Sequence, residues 1–203
     1  MSNHKTKAIV EGAMMLALGI ALSLITPFKK LLPFGGSITL VSMLPICLYS
    51  IKYGLVRGLC VSFLFSLFQF FQGVTKDGLF GWGLTAGMLT ACILLDYIVA
   101  YTAVGFAGIF RKKGMGGWIA GTVFALLLRF ASHFFSGVYV FASTGKIWEE
   151  LDFVAENKYI YSAVYNGAYM LPEIILTVIA AVILFSVPAI RNILSPQTAK
   201  TEK

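Results

Sequence analysis

Two stretches decide how this chain is read: RFASHFFSGVYVF at residues 129–141 and YIYSAVYNGAYMLPE at residues 159–173. Both are apolar enough to lie in a bilayer, yet Arg129, His133, Asn166 and Glu173 stand where a lipid-facing helix would carry Leu. Charged and amide groups at membrane depth are costly, and they face a bundle interior or a cavity where a partner satisfies them. The two stretches therefore predict an all-α integral membrane protein with a polar pocket between its helices.

The composition agrees. Of 203 residues, 58% are hydrophobic and 12% are charged, and the mean hydropathy is +0.83, outside the range of soluble globular domains. Roughly 20 apolar residues make one crossing. Apolar runs at about 8–25, 38–53, 55–72, 84–110, 116–142 and 161–190 predict six transmembrane helices in a single membrane domain, with a polar tail after about residue 196. The first run follows Lys5 and Lys7 like a signal peptide, but no small-residue cleavage site follows it, and it is read as a retained helix.

Lys5, Lys7, Lys52, Arg57, Arg111, Lys112, Lys113, Arg191, Lys200 and Lys203 fall on one side of the predicted bundle, against Lys29, Lys30, Lys76, Lys146 and Lys158 on the other. That bias places both termini in the cytoplasm. It also accounts for the net charge of +7 without nucleic acid, since the basic residues sit between hydrophobic segments and form no stripe with interleaved aromatics. Cys47, Cys60 and Cys92 are scattered through apolar runs, which suits small buried residues and gives no disulfide or metal framework.

Within the segments, Ala13, Ala17 and Ala21 recur every fourth residue and drift by about 40° per step, so they form one small-residue stripe. Such a stripe serves close approach of another helix, either from a partner or from this chain's own bundle. Glu11, near the membrane face, carries no role in this reading. Gly35 and Gly36 after Pro33 and Phe34 make a turn-prone connection, read as a connector or a lid, and Trp82 is read as an interfacial anchor. Asp96 and Tyr97 interrupt LTACILLDYIVAYTAVGFAGIF (89–110), and an ionised Asp at that depth needs a partner. Arg129 and His133 share a helix face with Gly137 and Phe141, so an Asp96–Arg129 pair that merely ties two helices competes with a binding role. Pro172 predicts a kink in the last segment, and residues 142–158 read as a solvated loop.

The chain contains no G-x-x-x-x-G-K-[ST], no H-E-x-x-H and no G-x-S-x-G, so it assembles neither a P-loop nor a catalytic constellation. It is read as no enzyme, with no cofactor. Asp96 and Glu173 supply acid, and Tyr97, Phe141, Tyr161 and Tyr165 supply rings. That combination suits an organic cation with flat rings, held by ion pairing and by cation–π contacts of about 0.5 to 2 kcal/mol each. Asn166 adds a donor and an acceptor that can read a heterocycle edge.

Four blocks, PFGGSITLVSMLP (33–45), LLDYIVAYTAVGFAG (94–108), SHFFSGV (132–138) and YSAVYNGAYMLPE (161–173), resemble the thiamine-specific S components of energy-coupling factor transporters. These are small six-helix prokaryotic proteins of the cell membrane. The resemblance implies capture of thiamine from outside, together with a separate transmembrane subunit and two ATPase subunits as partners. It implies ligand contacts at Asp96, Tyr97, Arg129, His133, Gly137, Phe141, Tyr161 and Asn166, and docking through Ala13, Ala17 and Ala21. Asp96 stands where the family often carries the longer Glu, and Phe141 where a Trp can stack on the ligand. The alternatives are an S component for another vitamin or a thiamine precursor, and a stand-alone ion-coupled transporter in which Asp96 and His133 carry protons.

Overall fold

The computed structural model describes residues 3–26, 36, 38, 39, 41–148 and 153–195. Helix α1 spans Asn3–Leu24, α2 Leu44–Tyr53 and α3 Leu55–Thr75. A helical segment at 86–108, α4, is followed by a turn at Ile109 and Phe110 and a short 3-10 turn at Arg111–Lys113. Helix α5 occupies 114–141, α6 spans Lys158–Ser186 and α7 spans Pro188–Leu194. Among the described residues, four helical stretches are long and apolar enough to cross a membrane: Lys5–Leu24, Leu55–Thr75, Ala86–Phe141 and Lys158–Ser186. The third runs for 56 residues, and the basic turn at Arg111–Lys113 divides it between α4 and α5. The protein is an integral membrane helical protein.

The second predicted segment, 38–53, departs from expectation. Its helix starts only at Leu44, behind a residue with positive φ, Val41 at 50°, and with proline at its first turn. Pro45 has no N–H to continue a helix backwards, so α2 is 10 residues, about 15 Å, and too short to cross alone. The last predicted segment, 161–190, is also divided. Val187 turns extended ahead of Pro188, whose ring disfavours a helical predecessor, and α7 begins there. Pro172 lies inside α6 as expected. The segment at 142–158, expected to be a solvated loop, contains a small antiparallel ribbon, β1 (Gly145–Lys146) paired with β2 (Val154–Ala155), and buries Ile147 and Ala155. The readings at Pro33, Phe34, Gly35, Glu149, Glu150 and Asp152, and the tail after residue 196, lie outside the described residues.

Helix α1 packs on α2 and α3 through Ala8, Gly12, Gly19 and Ser23, all buried. A Cβ on Gly19 would meet the Ser42 carbonyl at 3.0 Å, so this inward face is what brings α1 close to α2. Ala13, Ala17 and Ala21 point the other way and are exposed. Glu11, given no role from sequence, accepts from Lys52 Nζ at 2.5 Å and lies 4.0 Å from Lys7, joining α1 to the end of α2. Cys47 and Cys92 are buried free thiols, and Cys60 is exposed on α3.

The core between α2, α3, α4 and α5 is built around close backbone contacts. Ser50 Oγ donates to the Gly105 carbonyl at 2.5 Å and accepts from Gly108 N–H at 3.0 Å. A Cβ on Gly105 would stand 2.7 Å from the Leu59 backbone, and one on Gly108 would collide with Ser50. Lipid offers little hydrophobic drive between helices, so van der Waals contact through small residues holds this end together. The turns around Lys52, Arg57 and Arg111 sit at the same end, called here the basic end.

Candidate ligand-binding site

At the opposite end, two helices leave regular α geometry where the candidate residues lie. Ile93–Val99 in α4 is π-helical and carries Asp96 and Tyr97; Gly137–Phe141 in α5 is also π-helical and carries Gly137 and Phe141. A π turn inserts an extra residue into the ladder and re-aims the side chains beside it, a device common at functional sites.

Asp96 is the centre of a hydrogen-bonded cluster. Its Oδ1 lies 2.8 Å from His133 Nδ1, and its Oδ2 accepts from Ser136 Oγ and, at 3.3 Å, from Cys92 Sγ. The partner of Asp96 is therefore His133 with Ser136, and no Asp96–Arg129 pair forms. His133 is buried, its ring edge-on to Tyr101 and Tyr169 at 6.2 and 5.9 Å between centroids. With Nδ1–H donated to Asp96, Nε2 is a buried polar atom with no hydrogen-bond partner among the described residues. Buried polar atoms of this kind require a partner, and a bound ligand or water is the natural one.

Asn166 draws α6 onto this cluster. Its Nδ2 donates to the Ser162 carbonyl at 2.9 Å, to Ser162 Oγ at 3.1 Å and to the His133 carbonyl at 3.3 Å, while its Oδ1 accepts from Tyr169 O–H at 2.8 Å. The donors of the amide are thus engaged within the protein, and its oxygen keeps one lone pair for a ligand. Gly137 serves the same contact, since a Cβ there would collide with Ser162 Oγ. Tyr161, Tyr165 and Tyr169 form a ladder one turn apart, with Tyr161 stacked on Tyr165 at 6.0 Å and 13°.

The remaining candidates separate into two flanking groups. Tyr97 turns toward α3, edge-on to Phe70 at 5.8 Å, in an apolar cluster with Leu79, Cys92 and Val140, against which Trp82 and Phe141 pack. Trp82, read from sequence as a membrane anchor, stands 6.0 Å from the Phe141 ring and donates its Nε1–H to the Asp77 carbonyl. Arg129 lies on the other flank. Its guanidinium sits 4.5 Å over the Tyr101 ring, and it donates to Tyr101 O–H at 3.0 Å and to Met43 Sδ at 3.1 Å. Glu173, 2% exposed, accepts from Thr39 N–H at 2.6 Å and Thr39 Oγ1 at 2.5 Å, which binds the segment ahead of α2 to α6.

Asp96, His133, Gly137 and Asn166 therefore meet in one cluster, Tyr161 continues it through the tyrosine ladder, and Tyr97 with Phe141 forms a neighbouring aromatic wall. Arg129 connects through Tyr101. Ser136, Tyr101 and Tyr169 were not singled out for this cluster from sequence. Ser136 is four residues from Ser132 and three from His133, so the helical face of His133 was the signal that could have found it.

Comparison with known proteins agrees over nearly the whole chain. The family model described as Thiamine transporter protein (Thia_YuaJ) matches residues 9–191. The thiamine transporter ThiT of Bacillus subtilis (strain 168) is 32% identical over 193 residues, covering 87% of this chain and 89% of that protein. The solved structure of ThiT from Listeria monocytogenes aligns with a TM-score of 0.67 at 20% identity, covering 93% of this chain and 99% of the other, a likeness of fold. By the extent of these matches, the chain belongs to the thiamine transporter protein family.

Proposed function

We infer that the chain takes up thiamine as the substrate-binding subunit of an energy-coupling factor transporter. The observation that carries the reading is the family match over residues 9–191, joined to a half-buried carboxylate already oriented by His133 and Ser136. A permanent organic cation needs a carboxylate that stays in place as water leaves, and Asp96 held on two sides meets that need. The thiazolium pairs with Asp96, and the pyrimidine uses Tyr161 stacking and the free acceptor capacity of Asn166 and His133. Tyr97, Phe141 and Gly137 shape the wall, and Arg129 holds Tyr101 against His133.

On this reading the chain crosses the cell membrane six times, with the short α2 and the segment before it making the second passage and both termini in the cytoplasm. The basic bias at the Lys52, Arg57 and Arg111 end supports that orientation. Ala13, Ala17 and Ala21 dock on the transmembrane coupling subunit, which two ATPase subunits drive; their exposure, with Gly12 and Gly19 taking the inward packing, supports this face being free for a partner. The test is calorimetry on the purified protein. Thiamine is expected to bind tightly without ATP and to quench Trp or Tyr fluorescence. Tight binding of another vitamin with no thiamine binding refutes the substrate, and proteoliposome uptake driven by a proton gradient in the absence of ATPase subunits refutes the energy-coupling arrangement.

A further inference from the structure

A groove of about 480 Å³ runs along the surface between α1 and α3 at the basic end. Lys5, Ala8, Gly12, Ala13 and Leu16 line it from α1, and Arg57, Cys60 and Leu64 line it from α3. Its floor is Tyr49, buried and fixed by donating its O–H to the Ala8 carbonyl at 3.1 Å. The depth of the groove depends on Gly12, because a Cβ there would sit 3.0 Å from the Tyr49 ring.

Charge is distributed unevenly around this groove. Glu11 satisfies Lys52 at 2.5 Å and lies 4.0 Å from Lys7, whereas Lys5 and Arg57 at the groove mouth form no ion pair among the described residues. The lining is otherwise almost wholly apolar, and it follows two helices that are each long enough to cross a bilayer. From Lys5 to Leu16 the groove extends about 16 Å along α1, close to half of a hydrocarbon core of roughly 30 Å. A cationic mouth at the membrane surface leading to an apolar furrow one leaflet long matches a phosphate headgroup followed by an acyl chain.

We propose that this groove is a binding site for an anionic phospholipid, with the phosphate between Lys5 and Arg57 and one acyl chain lying over Tyr49 and Gly12. The lipid seals the α1–α3 seam beside Ala13, at one edge of the stripe that Ala17 and Ala21 continue away from the groove. Cys60 is a built-in reporter, since it lines the groove while Cys47 and Cys92 are buried.

The full chain, purified in detergent, is titrated with phosphatidylglycerol or phosphatidylcholine while native mass spectrometry counts bound lipid and maleimide follows the Cys60 thiol. Phosphatidylglycerol is expected to remain bound and to slow Cys60 modification, and phosphatidylcholine to do neither. Lys5→Gln with Arg57→Gln should weaken phosphatidylglycerol by about 25-fold, roughly fivefold for each cation removed, while Lys112→Gln with Lys113→Gln at the same end changes it less than twofold. Equal retention of the two lipids, an equal loss in the Lys112 and Lys113 variant, or equal protection by free glycerol phosphate overturns the proposal. Protection of Cys60 that arises only on adding the coupling subunit overturns it too, and assigns the groove to a protein contact. Should the double variant fail to fold, Arg57→Gln alone and the wild-type Cys60 competition read the same site. Thiamine affinity, measured alongside, stays unchanged in all of these variants, so failure of the lipid site leaves the transport reading intact.

Discussion

The two ends of the bundle solve opposite problems. At the basic end, Ser50, Gly105 and Gly108 bring backbones into contact, and charged side chains pair at the margin of the bundle, as in the half-buried Glu11–Lys52 pair. At the pocket end, Asp96, Arg129, His133, Asn166 and Glu173 all lie within the bundle, and α4 and α5 both relax into π turns beside them. Close packing needs small residues and regular geometry, whereas convergence of long polar side chains needs space and a change of helical phase. Rigidity at one end thus supports an irregular, polar site at the other.

That division orders the expected effects on thiamine affinity. Asp96→Asn keeps the shape but removes the charge, and loss of a buried charge partner costs about 2 to 5 kcal/mol, roughly 30-fold to several thousand-fold in Kd by calorimetry. Asp96→Glu should lose far less. An Asp96→Asn protein that binds like wild type would assign Asp96 to helix packing with His133 alone. Trp82→Leu removes the ring against Phe141 and the hydrogen bond to the Asp77 carbonyl, and is expected to cost about 0.5 to 2 kcal/mol of affinity with only a small fall in melting temperature; unchanged affinity returns Trp82 to a simple anchor. Gly105→Leu, at the packing end, should lower stability by about 1 to 3 kcal/mol through collision with Leu59 while the folded fraction binds normally. A large loss of affinity in well-folded Gly105→Leu protein would show that the two ends are not separable. Ala17→Trp, on the exposed stripe, should leave affinity untouched yet abolish ATP-driven uptake in proteoliposomes; normal uptake excludes the stripe as the dock.

Much of this site was legible because membrane depth makes polar residues conspicuous. Asp96, His133 and Asn166 stood out against apolar surroundings, and they meet in the structure. Pairing was less legible. Arg129 is the obvious charge complement of Asp96, but the structure gives Asp96 to His133 and places Arg129, four residues before His133 along α5, on Tyr101 of α4. Sequence spacing puts Arg129 and His133 on one face and cannot say which reaches across, because that depends on how α4 is rotated by its π turn. Trp82 shows a similar limit: an aromatic near a segment end suits an interface belt, and only the turn at Leu79–Gly81 shows that it also stands beside Phe141.

The sequence by itself determined the membrane class, the polar positions and the family blocks, because hydropathy and charge at bilayer depth are properties of residues taken one at a time or at fixed helical spacing. The tertiary structure alone decided that α2 is short, that Ala13, Ala17 and Ala21 face outward while Gly12 and Gly19 face inward, and that His133 rather than Arg129 holds Asp96. Those outcomes turn on helix phase and on which backbone approaches which. Both are set by contacts among distant segments, such as Ser162 against Gly137 and Ser50 against Gly108, that no local pattern encodes.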